Sequence, residues 1–239
     1  RQARRLVMLH TPPLIIALGG LKRSGKDTFA GILAAVARSR PNLAPHRIAF
    51  AEPLRRAAAA AYDVPVAEFS DDQIKDVVHP DWGITRRQML INVGEAMRGV
   101  DADHWTKLLV RGVDSFETAM ASYTPTQRPL HIVTDLRRSN EAKALLDLGA
   151  TLVLVVRDGV VWDGHETEAM AHEWTSKYRK IGITPFGYTL YTDGDAEHLA
   201  YIHTIENAFP IDGDASKIPA VTAAFERAAN QLLDAVLST

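Results

Sequence analysis

Cysteine is absent from this chain of 239 residues, so neither a disulfide nor a thiolate metal site is available to it, a composition that fits a reducing compartment such as the cytoplasm. Long apolar runs are missing as well. A run such as Leu14 to Leu18, followed by two glycines, falls far short of the roughly 20 residues that cross a bilayer. No membrane-spanning helix is expected. The basic opening Arg1-Gln2-Ala3-Arg4-Arg5 leads into a stretch broken by His10, Thr11, Pro12 and Pro13, unlike a secretory signal. An excess of one charge is lacking too: the formal net charge of -2 gives no general attraction to a polyanion, although a local basic cleft is compatible with it. Histidines and carboxylates show no metal-ligand spacing.

What is present is the composition of an ordinary globular protein, 46% hydrophobic and 23% charged, enough apolar mass to offset chain entropy in one domain spanning residues 1–239. Leu14 to Leu18, ending in Gly19-Gly20, reads as a strand buried on both faces. From Lys26 the residues Phe29, Ile32, Leu33 and Val36 recur at helical spacing. His46 to Ala51 reads as a second strand, and Pro53 suits the first turn of an alanine-rich helix through Tyr62. An irregular connection from Asp63 and two helical patterns, Thr85 to Met97 and His104 to Met120, form a helical insertion over about 63–125. A third strand, Leu130 to Asp135, a short helix closed by Gly149, and the apolar strand Thr151 to Val156 follow. Residues of about 158–200 are too polar and too many for a plain connection and read as a lid or binding excursion. Tyr201 to Glu206 and a helix from about Pro219 to Leu237 close the chain. Alternating strands and helices predict an α/β fold: a parallel five-stranded sheet with helices on both faces.

Gly20-Leu21-Lys22-Arg23-Ser24-Gly25-Lys26 satisfies G-x4-G-K between a predicted buried strand and a predicted helix. Glycines let such a loop turn successive N–H groups inward, the helix N-terminus adds positive potential, and Lys26 reaches for β- and γ-phosphates. That cradle suits ATP, with Arg23, Ser24, Gly25, Lys26, Asp27 and Thr28 as its binding residues. The position after the lysine, commonly Ser or Thr on the magnesium ion, holds Asp27, with Thr28 next. Both are candidate Mg2+ ligands.

The stretch GGLKRSGKDTFA resembles the phosphate loop of the bacteriophage deoxynucleoside monophosphate kinases. Phe50 to Tyr62 is similar to that family's second strand and following helix, which places its Pro-aliphatic-basic triplet on Pro53, Leu54 and Arg55. Thr85 to Arg98 resembles the T-x-R-x-x-L-Q-x-x-G helix, with its arginine on Arg87, its glycine on Gly94, and Ile91 where the family has glutamine. DADHWTKLL supplies the family's tryptophan at Trp105. His131 to Arg157 carries D-x-R-x-x-x-E as Asp135, Arg137 and Glu141, and His165 to Glu168 resembles the lid-region H-x-T-E. Asn207 corresponds to the asparagine that ends the family's closing strand near the adenine.

The resemblance implies a P-loop kinase-type fold with a helical insertion for the monophosphate and a lid, and an enzyme that phosphorylates deoxynucleoside 5'-monophosphates with Mg2+-ATP. It assigns catalysis to Lys26, Lys22, Arg137 and Asp135. It assigns acceptor binding to Lys22, Leu54, Arg55, Arg87, Gly94, Trp105, Asp135, Arg137 and Glu141. Host cytoplasm is the implied location of a phage-encoded member. Lys177, Arg179 and Lys180 would lie in the lid, and the helices of the insertion offer a homodimer surface. Two alternatives stay open: a kinase of the same fold acting on a hydroxymethylated pyrimidine in phage DNA, with Asp135 as base, and a nucleotide-binding module with regulatory rather than catalytic use.

Overall fold

The structure is a computed structural model that describes residues 13–123, 126–162, 164, 168–181, 188–191, 200–207 and 218–238. Its centre is β1 (Leu14–Gly19), every residue of which is buried. The pleat sends alternate side chains to opposite faces. Leu14, Ile16 and Leu18 meet α1 (Lys26–Arg38) and α7 (Ile218–Leu237), where Phe29 and Leu33 pack against Phe225, Leu232 and Leu233. Ile15 and Ala17 face the other layer, with Leu109, Val113, Leu145 and Trp174. The rings of Phe29 and Phe225 meet edge to face at 5.3 Å. A strand buried on both sides has no polar face to alternate, hence the unbroken apolar run.

The sheet order is β2-β3-β1-β4-β6-β5, built from β2 (Leu43–Ile48), β3 (Arg128–Leu136), β4 (Thr151–Arg157), β5 (Tyr188–Tyr191) and β6 (Ala200–Asn207). The five strands β2, β3, β1, β4 and β6 run parallel, as the alternation of elements predicts. A sixth strand is an addition: β5 pairs antiparallel with β6 at the edge, inside the segment expected to be a lid. The second strand also begins earlier than expected, at Leu43, and gives way to α2 (Ala51–Tyr62) already at Phe50. Pro45 is tolerated there because β2 is an edge strand with one neighbour.

The insertion holds the 3-10 turn Val66–Phe69, α3 (Arg86–Val100) and α4 (His104–Tyr123). Thr85 caps α3 by accepting from Gln88 N–H at 3.1 Å. Met89 joins Ala58, Val64 and Phe69 in a small separate core. α3 thus has hydrophobic support of its own beside the sheet, while α4 packs on the sheet through Leu109 and Val113. On the same face, α5 (Ser139–Asp147) and α6 (Ala169–Ile181) also cover the sheet. Met170, Ala171 and Trp174 of α6 are buried, so this helix of the expected lid packs into the core. The side chains of Lys177, Arg179 and Lys180, together with residues 165–167, lie outside what the structure describes.

β3 also places His131 on the face that α4 covers, with no solvent exposure. Its Nε2 lies 2.9 Å from Glu117 Oε1, and its Nδ1 lies 3.2 Å from Nδ1 of His46, whose ring stacks on Phe116 at 3.7 Å. With Nε2–H donated to the carboxylate, Nδ1 of His131 accepts and Nδ1–H of His46 donates. A further proton would set two donors against each other. Burial lowers both imidazoles below 6.5; the charge of His131 adds to this at His46, while Glu117 opposes it at His131. The unfolded chain therefore takes up protons first as pH falls through 6.5, and the pair's contribution to stability declines below that value. The urea midpoint of His46→Phe, measured relative to the parent chain at the same pH, should rise on going from pH 7.5 to pH 5.5.

Candidate active site at the phosphate loop

The loop from Gly20 to Gly25 turns through three left-handed or otherwise glycine-favouring conformations, at Gly20 (φ 149), Arg23 (φ 66) and Gly25 (φ 96). Two of these positions have no room for a side chain. A Cβ on Gly20 would lie 2.5 Å from the Val155 carbonyl oxygen, and one on Gly25 would lie 2.3 Å from Nδ2 of Asn207. Ser24 N–H donates to Leu21 O at 3.1 Å and closes the turn. Asn207 Nδ2 donates to Ser24 O at 2.9 Å from the end of β6, so this residue, expected near an adenine, braces the loop from behind. The Ser24 Oγ is buried and has no partner among the described residues. A phosphate oxygen in the loop would supply one.

Lys26 opens α1 with only 8% of its surface exposed. Desolvation is the main influence lowering its pKa, Arg137 adds to it, and the carboxylates of Asp27, Glu168 and Asp135 pull the other way. These charges act on Lys26 from α1, the end of β3, the β3–α5 turn and the residue before α6. Asp27 and Thr28 sit exposed on the first helical turn.

Asp135, near the carboxyl end of β3, turns both oxygens to the start of α2, accepting from Phe50 N–H at 2.8 Å and Ala51 N–H at 2.9 Å. Desolvation raises its pKa; those two hydrogen bonds, then Arg137 and Arg55, oppose the rise. Glu141 is buried and accepts from the N–H groups of Arg137 at 2.9 Å and Arg138 at 3.0 Å. It caps α5 and shapes the turn that presents the exposed Arg137. Burial pushes its carboxyl up to about 7, with the charge of Asp135 assisting and the Arg137 and Arg138 N–H groups opposing.

On the insertion side, Arg55 has a buried Nε with no partner among the described residues, although its Nη1 lies 3.6 Å from Glu52. Leu54 packs within ordinary contact distance of the Cβ position of Gly94, and the buried Trp105 donates Nε1–H to Gly94 O at 3.2 Å. Trp105 and Gly94 thereby fasten α4 to α3. Arg86 and Arg87 divide their work. Arg86 is buried, paired with Glu68 at 2.6 Å and donating to Val77 O at 3.2 Å, while Arg87 is exposed and paired with Asp76. The charge of Lys22, on the phosphate loop, reaches Asp76.

Two participants escape a reading of the sequence alone. Glu168, buried just before α6, accepts from Lys22 N–H at 3.1 Å, tying the excursion to the phosphate loop. The H-x-T-E resemblance touches this residue without giving it a partner. Asp76 lies in an irregular connection, where no periodicity or motif marks it. Among the described residues no group of three or more His, Cys, Asp or Glu is arranged to hold a metal.

The raised carboxyl of Glu141 has a measurable consequence of opposite sign to that of the histidine pair. Between its unfolded value of 4.5 and its folded value of about 7, the folded state holds the extra proton, so its contribution to stability falls as pH rises through that window. Glu141→Gln keeps an oxygen for the two N–H groups and removes the titration. It should raise stability at pH 8 by up to about 3 kcal/mol relative to the parent chain and by little at pH 5, as read from urea unfolding at the two pH values.

No family model matches the chain, and no curated protein matches it. Among solved structures it is similar to a putative kinase from Chloroflexus aurantiacus J-10-fl, at 13% identity over 92% of this chain and 98% of that one, with a TM-score of 0.35. It is also similar to a gluconokinase from Sinorhizobium meliloti 1021, at 12% identity over 93% of this chain and 96% of that one, with a TM-score of 0.29. The parallel α/β architecture rests on the strand order and register of the chain itself.

Proposed function

We propose that this chain transfers the γ-phosphoryl group of Mg2+-ATP to a deoxynucleoside 5'-monophosphate. The observation that carries the reading is the glycine-lined loop itself, with Lys26 buried at the start of α1 and the buried Ser24 Oγ left without a partner among the described residues, together with the buried Arg55 Nε at the insertion side, left likewise. Cationic groups on both sides are what transfer between two phosphates requires, since positioning and charge neutralisation supply most of the rate. In the transfer the bond from the γ-phosphorus to its bridging oxygen breaks, an acceptor phosphate oxygen forms the new one, and ADP leaves. The acceptor oxygen is already anionic near neutral pH, so no general base is needed.

The loop N–H groups, Ser24 and Lys26 hold the triphosphate in this reading. Mg2+ is bound largely by phosphates and water and needs one or two protein oxygens, which Asp27 and Thr28 supply from the first turn of α1. The resemblance to the phage kinases supports deoxynucleoside monophosphates as acceptors. Asp135 bears on the DNA-directed alternative: both its oxygens already accept backbone N–H groups, an engagement that weakens it as a base for a hydroxyl.

Labelled ATP and Mg2+ incubated with dAMP, dGMP, dCMP or dTMP should yield labelled diphosphate from at least one of them. Lys26→Ala should cut turnover by about 10²- to 10³-fold while leaving the urea midpoint in place. Failure with every monophosphate would reject the proposal, and label appearing instead in hydroxymethyluracil-containing DNA would establish the alternative.

A further inference from the structure

Arg87 is assigned above to the acceptor phosphate, and what its guanidinium holds in this structure is a carboxylate. Its Nε and Nη2 meet the two oxygens of Asp76, the second at 3.0 Å. Two parallel N–H···O contacts from one guanidinium are the same fork by which arginine grips a phosphate. The contact joins a helix to a loop 11 residues earlier, and the loop is built to deliver it. Arg87 N–H donates to Lys75 O at 3.0 Å, His79 N–H to Ile84 O at 2.8 Å, and Val78 pairs with Thr85 in an antiparallel bridge. Arg86, one residue away, anchors the same loop through Val77 O. Asp76 thus has a fixed address opposite Arg87, with the charge of Lys22 also reaching it.

We propose that Asp76 is an intramolecular competitor for the acceptor phosphate: it fills the fork of Arg87 in the empty enzyme and is displaced when a phosphomonoester enters. The inference rests on the phosphotransfer reading only for the identity of the entering ligand. Its magnitude follows from exposure. The side chains of Arg87 and Asp76 are 45% and 59% exposed, so the pair is weak and the displaced carboxylate is rehydrated readily. A phosphomonoester brings nearly two charges and three acceptor oxygens, against one charge and two oxygens for Asp76. The hydrogen bond from Arg87 holds the Asp76 carboxyl below its usual range, with Lys75 and Lys22 reinforcing it, so the competitor stays ionised at neutral pH. Its use is to keep Arg87 neutralised until the acceptor arrives, so that stray anions do not settle there.

The test is steady-state kinetics on the full chain with Asp76→Asn, Arg87→Ala and the double variant. It uses the best monophosphate of the panel, and the corresponding deoxynucleoside, which lacks the phosphate, as inhibitor. Asp76→Asn should lower the acceptor KM by roughly two- to fivefold with kcat and the ATP KM unchanged. It should leave inhibition by the neutral deoxynucleoside unaltered and have no effect in the Arg87→Ala background. An acceptor KM that stays the same or rises, a deoxynucleoside affinity that shifts in parallel, or an effect that survives Arg87→Ala would each overturn the proposal. Asp76→Ser, equally uncharged, guards against a local folding fault in the first variant. If no monophosphate is phosphorylated the transfer reading falls, while equilibrium binding of the same monophosphate and deoxynucleoside to parent and Asp76→Asn still decides the role of Asp76.

Discussion

The carboxylate of Asp135 joins the two halves of this molecule. It stands on β3, next to the strand that feeds the phosphate loop, and both its oxygens are taken by N–H groups that open α2. Orphan N–H groups at a helix start need an acceptor, and an anion there also meets the helix dipole. One side chain therefore fixes where the helix begins and ties the start of α2 to β3. The opposing influences on its pKa follow from this position: burial resists the charge and the α2 N–H groups favour it. Glu141 repeats the device one element later, capping α5 through the backbone of Arg137 and Arg138.

Within a chain of near-neutral total charge, the positive groups of the phosphate loop and the insertion are matched locally by carboxylates. Lys26 is surrounded by Asp27, Glu168 and Asp135, Arg87 by Asp76, and Arg138 by Glu95 at 3.1 Å. Net charge sums these pairs to almost nothing and hides them. The field at the loop is set by which partner an entering anion can displace, and the exposed partners yield more easily than the buried ones.

The sheet and its helices were legible because the apolar pattern changes period along the chain: the unbroken run of β1, the helical spacing of Phe29 and Leu33, and the buried run of β4 each have one physical reading. The phosphate loop was legible through glycines that the structure requires at Gly20 and Gly25. Boundaries were less so. The start of α2 is set by Asp135, 84 residues away from Ala51, and no local propensity encodes that. The division between Arg86 and Arg87 is likewise a tertiary fact, since the pair is chemically identical in sequence and separated only by which side of α3 meets Glu68. Asn207 and Glu168 were marked by resemblance, but their bonds to Ser24 and Lys22 span 183 and 146 residues. Within the segment read as a lid or binding excursion, α6 contributes Trp174 to the core, a tertiary fact that its polar flanks do not announce.

The sheet's outer borders carry a consequence for how copies of this chain meet. On one side β2 presents Pro45, which has no N–H to offer, and the exposed Arg47. On the other, the short β5 runs against the direction of its neighbour and shields β6. Continuous hydrogen bonding from one molecule's sheet into another's is discouraged at the β2 border by missing donors and by charge. Any contact between copies of this chain through β2 would therefore have to be made by side chains rather than by a continued sheet.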